Sequence, residues 1–233
     1  MGLTNLIKGF GVLGLSAPEI VSSDISFEAI KTKITNPQIA KELGAQNSIY
    51  YINEAEWCAN LLDSFSESGQ WGFVFEAQRR YDNILKKLPP QISNIMSIAV
   101  ASAFNYFSYE QYIAIRIKRG DNFSFMEAAE YLLRRGSDSQ LYALLLRELD
   151  GITEPGLESG FRIRQALWDL HDDILDLEED KKSTGANICL LTGKNNLHRL
   201  AILFYTEAKK LSLKSSPLFL AIEKQLEKVF QII

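Results

Sequence analysis

Cysteine and histidine are nearly missing from this chain of 233 residues, which holds two of each. Cys58 and Cys189 stand alone, with no CxxC and no ladder of spacings. Neither a disulfide framework nor a cysteine zinc site is available, and a reducing cytosol is the natural compartment. With only His171 and His198, a Ser-His-Asp triad, an HExxH zinc helix and paired ExxH di-iron motifs are unsupported. His171-Asp172 forms an HD dipeptide but lacks the upstream histidines that an HD phosphohydrolase needs. Basic runs are lacking too: none exceeds a pair such as Arg79-Arg80 or Arg134-Arg135, and 25 basic against 29 acidic side chains leave a formal charge of −4. Phosphate neutralisation needs Lys and Arg clustered on one face, so no nucleic-acid partner is expected. No apolar run approaches the roughly 18 residues that span a bilayer, so no transmembrane segment is expected. Residues 1–17 hold one Lys8 and a Gly-broken GFGVLGLSA, too weak an n-region and too short an apolar part for a signal peptide. Leu6 breaks the myristoylation pattern. Phosphate-binding GxxxxGK and strand-associated GxGxxG motifs do not occur.

With 46% hydrophobic residues, 23% charged and only 6 Pro, the chain is able to bury a full core. Repeats, low-complexity tracts and Gly/Ser linkers are missing, so residues 1–233 are expected to form one domain, with 1–22 loosely ordered. Apolar residues recur at three-and-four spacing over 47–67, 71–88, 91–107, 109–118, 125–135, 139–149, 160–182 and 197–211, each of which predicts a helix. Strand alternation appears nowhere at useful length. Pro89-Pro90 cannot continue a helix, and Ser124-Phe125-Met126-Glu127 has the form of a capping box. A loop is expected over 151–156, and Gly185 is placed to close the long acidic helix. The expected fold is an all-α bundle with short connections.

The acidic helix carries the chemistry. Gln165, Asp169, Asp172, Asp173, Asp176 and Asp180 fall within one stripe at about 100° per residue, beside an apolar stripe of Leu167, Leu170, Ile174 and Leu177. Like charges at this spacing repel by a few tenths of a kcal/mol each, and aspartate is a poor helix former. Such a row is the kind of ligand set a hard divalent cation uses. Magnesium takes one or two carboxylates and fills its other positions with water and phosphate.

Asp172-Asp173-Ile174-Leu175-Asp176 resembles the second metal-binding motif of class I isoprenoid synthases, both in its trans-prenyltransferase form and in the longer terpene cyclase form. The resemblance implies Asp172, Asp176 and Asp180 as Mg2+ ligands, Asp173 as their support and Lys181 as a diphosphate contact, with Gly185-Ala186-Asn187 continuing the likeness. Upstream, Arg135-Gly136-Ser137-Asp138 is similar to the cyclase helix that breaks near its middle, where an Arg senses diphosphate and an Asp three residues later links it to the break. Asp63-Ser64-Phe65-Ser66-Glu67 resembles the first acidic motif, with Ser64 in place of its second acid, and gives Asp63 and Glu67 as further metal ligands. The likeness runs in blocks from Trp57 to Asn187, with a shorter interval between motifs and no C-terminal Arg-Tyr pair at the expected distance. The resemblance implies the class I terpenoid synthase fold, a prenyl diphosphate substrate, Mg2+ as cofactor and cyclase-like ionisation with release of diphosphate; a homodimer is compatible with it. Phe104, Tyr106, Phe107, Tyr109 and Tyr112 are candidates to face a carbocation. The competing expectations are prenyl-chain elongation, and a non-catalytic helical partner or binding protein on the same scaffold.

Overall fold

The computed structural model describes residues 34–68, 70–121, 123–182, 186–213 and 216–233; side chains at 66–68, 98–100, 102–108, 111 and 194 lie outside the description. The expectations for 1–22, the closing role of Gly185, and the side chains of Glu67, Phe104, Tyr106 and Phe107 therefore fall outside the described residues. Among those described the chain is all helical, without strands. In chain order the helices are α1 (Asn36–Glu42), α2 (Ile49–Ser68), α3 (Trp71–Lys87), α4 (Pro90–Lys118), α5 (Phe125–Arg135), α6 (Ser139–Asp150), α7 (Leu157–Leu175), α8 (Leu177–Asp180), α9 (Ile188–Leu191), α10 (Lys194–Lys210) and α11 (Pro217–Ile232). None is long and apolar enough to cross a membrane.

Local chemistry sets the boundaries. Leu88 is extended before Pro89-Pro90, so α3 stops and α4 starts with Pro at its first positions, where the missing N–H costs nothing. Ser124 Oγ accepts from the Glu127 amide at 3.2 Å while Glu127 accepts from the Ser124 amide at 2.8 Å, which completes the expected capping box of α5. Gly151 ends α6 at φ 67°, a left-handed conformation suited to a residue without Cβ. Asp150, at the end of α6, accepts from the backbone amides of Gln46, Asn47 and Ser48 at 2.8–3.0 Å and so caps α2 from about a hundred residues away.

α7 is the axis of the bundle, packed by α5, α6, α10 and α11. Leu157, Phe161, Ile163, Ala166, Leu167 and Leu170 are buried around most of its circumference, as expected of a helix covered on nearly all sides. Gly160 makes the closest approach: a Cβ there would stand 2.6 Å from Leu213 Cδ1 and 2.7 Å from Leu218 Cδ2. α2 runs alongside with Ile52, Ala55, Cys58, Leu61 and Leu62 buried, and its polar side turned toward α7.

Several expectations are corrected here. The segments 91–107 and 109–118 form one helix, α4. The C-terminal helix α11 and the short α1 and α9 had no counterpart in the sequence reading. The helix expected over 160–182 ends at Leu175, and Asp176 takes a non-helical conformation at φ −90°, ψ 5°. The physical cause is Asn187, whose Nδ2 donates to the Asp173 carbonyl at 2.7 Å and occupies the acceptor that the Leu177 amide would otherwise use. Asn187 also caps α9 through the Cys189 amide at 2.8 Å.

Candidate functional site

A cavity of about 110 Å³ lies between α2, α7 and the junction of α5 with α6. From α2 it takes Glu56, Asn60 and Asp63, which recur on one face of that helix; from α7 it takes Gln165, Trp168, Asp169 and Asp172. Arg135, Ser137 and Asp138 enter where the chain turns from α5 into α6, and Thr35 and Asn36, at the start of α1, complete the lining.

The charged groups are tied to one another. Arg135, at the C-terminus of α5, donates to Asp173 Oδ1 at 2.8 Å and lies 3.3 Å from Asp169 Oδ2, the latter without hydrogen-bond geometry. Burial pushes the Asp169 carboxyl up to about 7, against the pull of Arg135. Asp173 is raised by the same cause, offset by Arg135 and by the Ile188 amide, which donates to it at 2.7 Å. Asp138 accepts from the Tyr142 hydroxyl, and burial raises both groups. Beneath them, burial drives Glu56 to about 7, although the amides of Thr35 and Asn36 and the charge of Arg164 pull it down. His171 Nδ1 lies 3.4 Å from Asp172 Oδ1.

The residues expected from sequence separate into two groups. Asp63, Arg135, Asp138 and Asp172 line the same cavity. Asp173, Asp176, Asp180 and Lys181 do not. Asp173 turns to Arg135 and the Ile188 amide, and Asp180 accepts from Asn187 Nδ2 at 2.7 Å. Lys181 pairs with Glu178 at 2.5 Å on the exposed side of α8. Asp176 sits exposed at the helix break. Among the described residues no group of three or more His, Cys, Asp and Glu side chains is arranged to hold a metal ion. The lining aromatics are Tyr81 and Trp168; Tyr112 is solvent-exposed, and Tyr109 packs tilted against Tyr131. Trp168 carries Arg164 at 5.7 Å and Lys228 at 5.4 Å from its ring centroid.

Sequence reasoning missed Thr35, Asn36 and Arg164, and it did not single out Glu56. The recurrence of Glu56, Asn60 and Asp63 on α2 was a usable signal for a polar wall, and Arg164, Trp168 and Asp172 recur in the same way on α7. Nothing in the pattern around Thr35 and Asn36 marked them.

Comparison of the chain with protein-family models, with curated proteins and with solved structures returns no match.

Proposed function

We propose that this chain is a magnesium-dependent enzyme of the class I terpene synthase type, with the corresponding helical fold, which ionises a prenyl diphosphate and releases diphosphate. The observation that carries the reading is that Asp63 on α2 and Asp172 on α7 line one cavity, with Arg135 and Asp138 where α5 gives way to α6. The two carboxylates fit a hard cation that needs only one or two protein ligands and keeps its other positions for water and phosphate oxygens. Bound there, magnesium would neutralise charge building on the diphosphate leaving group. Asp63 and Asp172 hold the acidic rim. Arg135 supplies a cation whose planar fork matches phosphate oxygens, and Asp169 and Asp173 fix its orientation. Trp168 and Tyr81 offer apolar surface inside the rim.

A non-catalytic binding protein on the same scaffold is the second reading. It is favoured by the engagement of Arg135 with two carboxylates and by a cavity volume below the roughly 300–1,000 Å³ of ordinary ligand pockets.

Diphosphate release from geranyl, farnesyl and geranylgeranyl diphosphate, each with millimolar Mg2+, separates the two. Asp172→Asn should lower the rate by at least about a hundredfold, as should Asp63→Asn, while exposed Glu179→Gln leaves it unchanged. A wild-type rate equal to that of Asp172→Asn on all three substrates removes the enzymatic reading. Adding isopentenyl diphosphate to the same assay and identifying the products tests chain elongation.

A further inference from the structure

Thr35 and Asn36, which line the cavity beside Glu56, are held from two sides. The Thr35 amide donates to both oxygens of Glu56 at 3.0 Å, the Asn36 amide to Oε2 at 2.9 Å, and Asn36 Nδ2 to Oε1 at 3.0 Å. On the other side Arg164 donates through Nη1 to Asn36 Oδ1 at 2.7 Å and through Nη2 to Thr35 Oγ1 at 2.6 Å. Glu56 comes from α2 and Arg164 from α7, the helices that also carry Asp63 and Asp172. The Asn36 side-chain amide therefore bridges a buried acid and a buried base beside the cavity.

Two physical considerations bear on displacing this strap. The space it leaves, about 110 Å³, is smaller than a pocket that encloses a drug-sized ligand, so an isoprenoid tail needs the volume that Thr35 and Asn36 fill. Lifting the strap also removes the donors of Glu56 and the acceptors of Arg164 together. Unless the two side chains close on one another, each is stranded as an unpaired buried ion. A gate here therefore requires a second arrangement in which Glu56 and Arg164 satisfy one another.

We propose that the Thr35–Asn36 strap is the size gate of the cavity: latched to Glu56 and Arg164 it admits only small anions at the rim, and displaced it admits a prenyl tail. This rests on the functional reading above and deepens it by naming the residue, Asn36, that determines which ligand enters.

Exchange of the Thr35 and Asn36 amide hydrogens reports the latch directly, because Glu56 accepts from both. Geranyl thiolodiphosphate with Mg2+ should speed their exchange at least tenfold, whereas inorganic diphosphate with Mg2+ leaves it slow. Asn36→Ala removes the bridge and the population cost of opening, so it should bind geranyl thiolodiphosphate about tenfold more tightly than wild type, with inorganic diphosphate unchanged. If the geranyl ligand binds while both amides stay slow, or if the substitution shifts both ligands equally, the gate is overturned and the functional reading stands. If neither protein binds either ligand, the functional reading fails and the gate fails with it.

Discussion

Glu56 shows how one buried group reports on its surroundings through pH. Its carboxyl sits at about 7 in the folded chain against 4.5 ordinarily, chiefly because burial penalises the charged form. The folded state therefore binds the proton more tightly than the unfolded state. Its contribution to stability is fully present below about 4.5 and is lost as pH rises through about 7. Asp169 acts in the same direction through burial, with Asp173 and Asp63 also raising it against Arg135. Urea midpoints measured from pH 5 to pH 8 should fall for wild type, and Glu56→Gln should flatten that slope. An identical slope in both proteins would show that Glu56 is ionised across the whole range. The recurrence of Glu56, Asn60 and Asp63 made a polar face of α2 legible in the sequence. The burial of Glu56 was not, because the groups that cover it, Thr35 and Asn36, lie 20 or more residues away and meet it only in the folded chain.

Helix placement was read well wherever period and cap chemistry agreed. α5 opens at the capping box of Ser124 and Glu127, and α3 runs up to the Pro pair. The acidic helix was read too long. Periodicity records which residues suit a helix, and it carries no trace of a side chain arriving from Asn187 to take the Asp173 carbonyl. The row of aspartates consequently splits. Asp169 and Asp172 stay with the cavity, whereas Asp176 and Asp180 leave with the turn. Asn187→Ala should cost about 1–3 kcal/mol by urea denaturation, since it deletes the α9 cap and leaves the Asp173 carbonyl only the weak Cys189 thiol donor at 3.6 Å. A loss below about 1 kcal/mol would mean that the Leu177 amide recaptures the carbonyl and α7 extends through Asp176.

For the whole molecule, the all-α architecture was legible from the absence of alternation and the abundance of three-and-four spacing. Long-range closure was not. The chain is clasped by Asp150, whose carboxylate receives three amides from the start of α2, and no local pattern predicts a cap supplied by a residue a hundred positions away. Asp150→Ala should lower stability by about 2 kcal/mol, the upper range for losing a helix cap, and a protein unchanged in urea would show that water serves those amides equally well. α11 was overlooked although Leu218, Ile222, Leu226 and Val229 carry the same three-and-four spacing behind the Ser216-Pro217 start; in the fold that face is buried against α7, α10 and α1.

The close seat of Gly160 against Leu213 and Leu218 also bears on how the protein is made. α7 holds one wall of the cavity, and part of its cover is α11, which is synthesised after it. At about 5–20 residues per second, the stretch from Pro217 to Ile232 needs roughly one to three seconds, during which α7 lacks part of its covering. A nascent chain stalled before α11 therefore displays an apolar groove along its central helix, a surface that chaperones and aggregation both recognise. A chain cut before Pro217 should therefore disorder the α7 wall of the cavity rather than trim it.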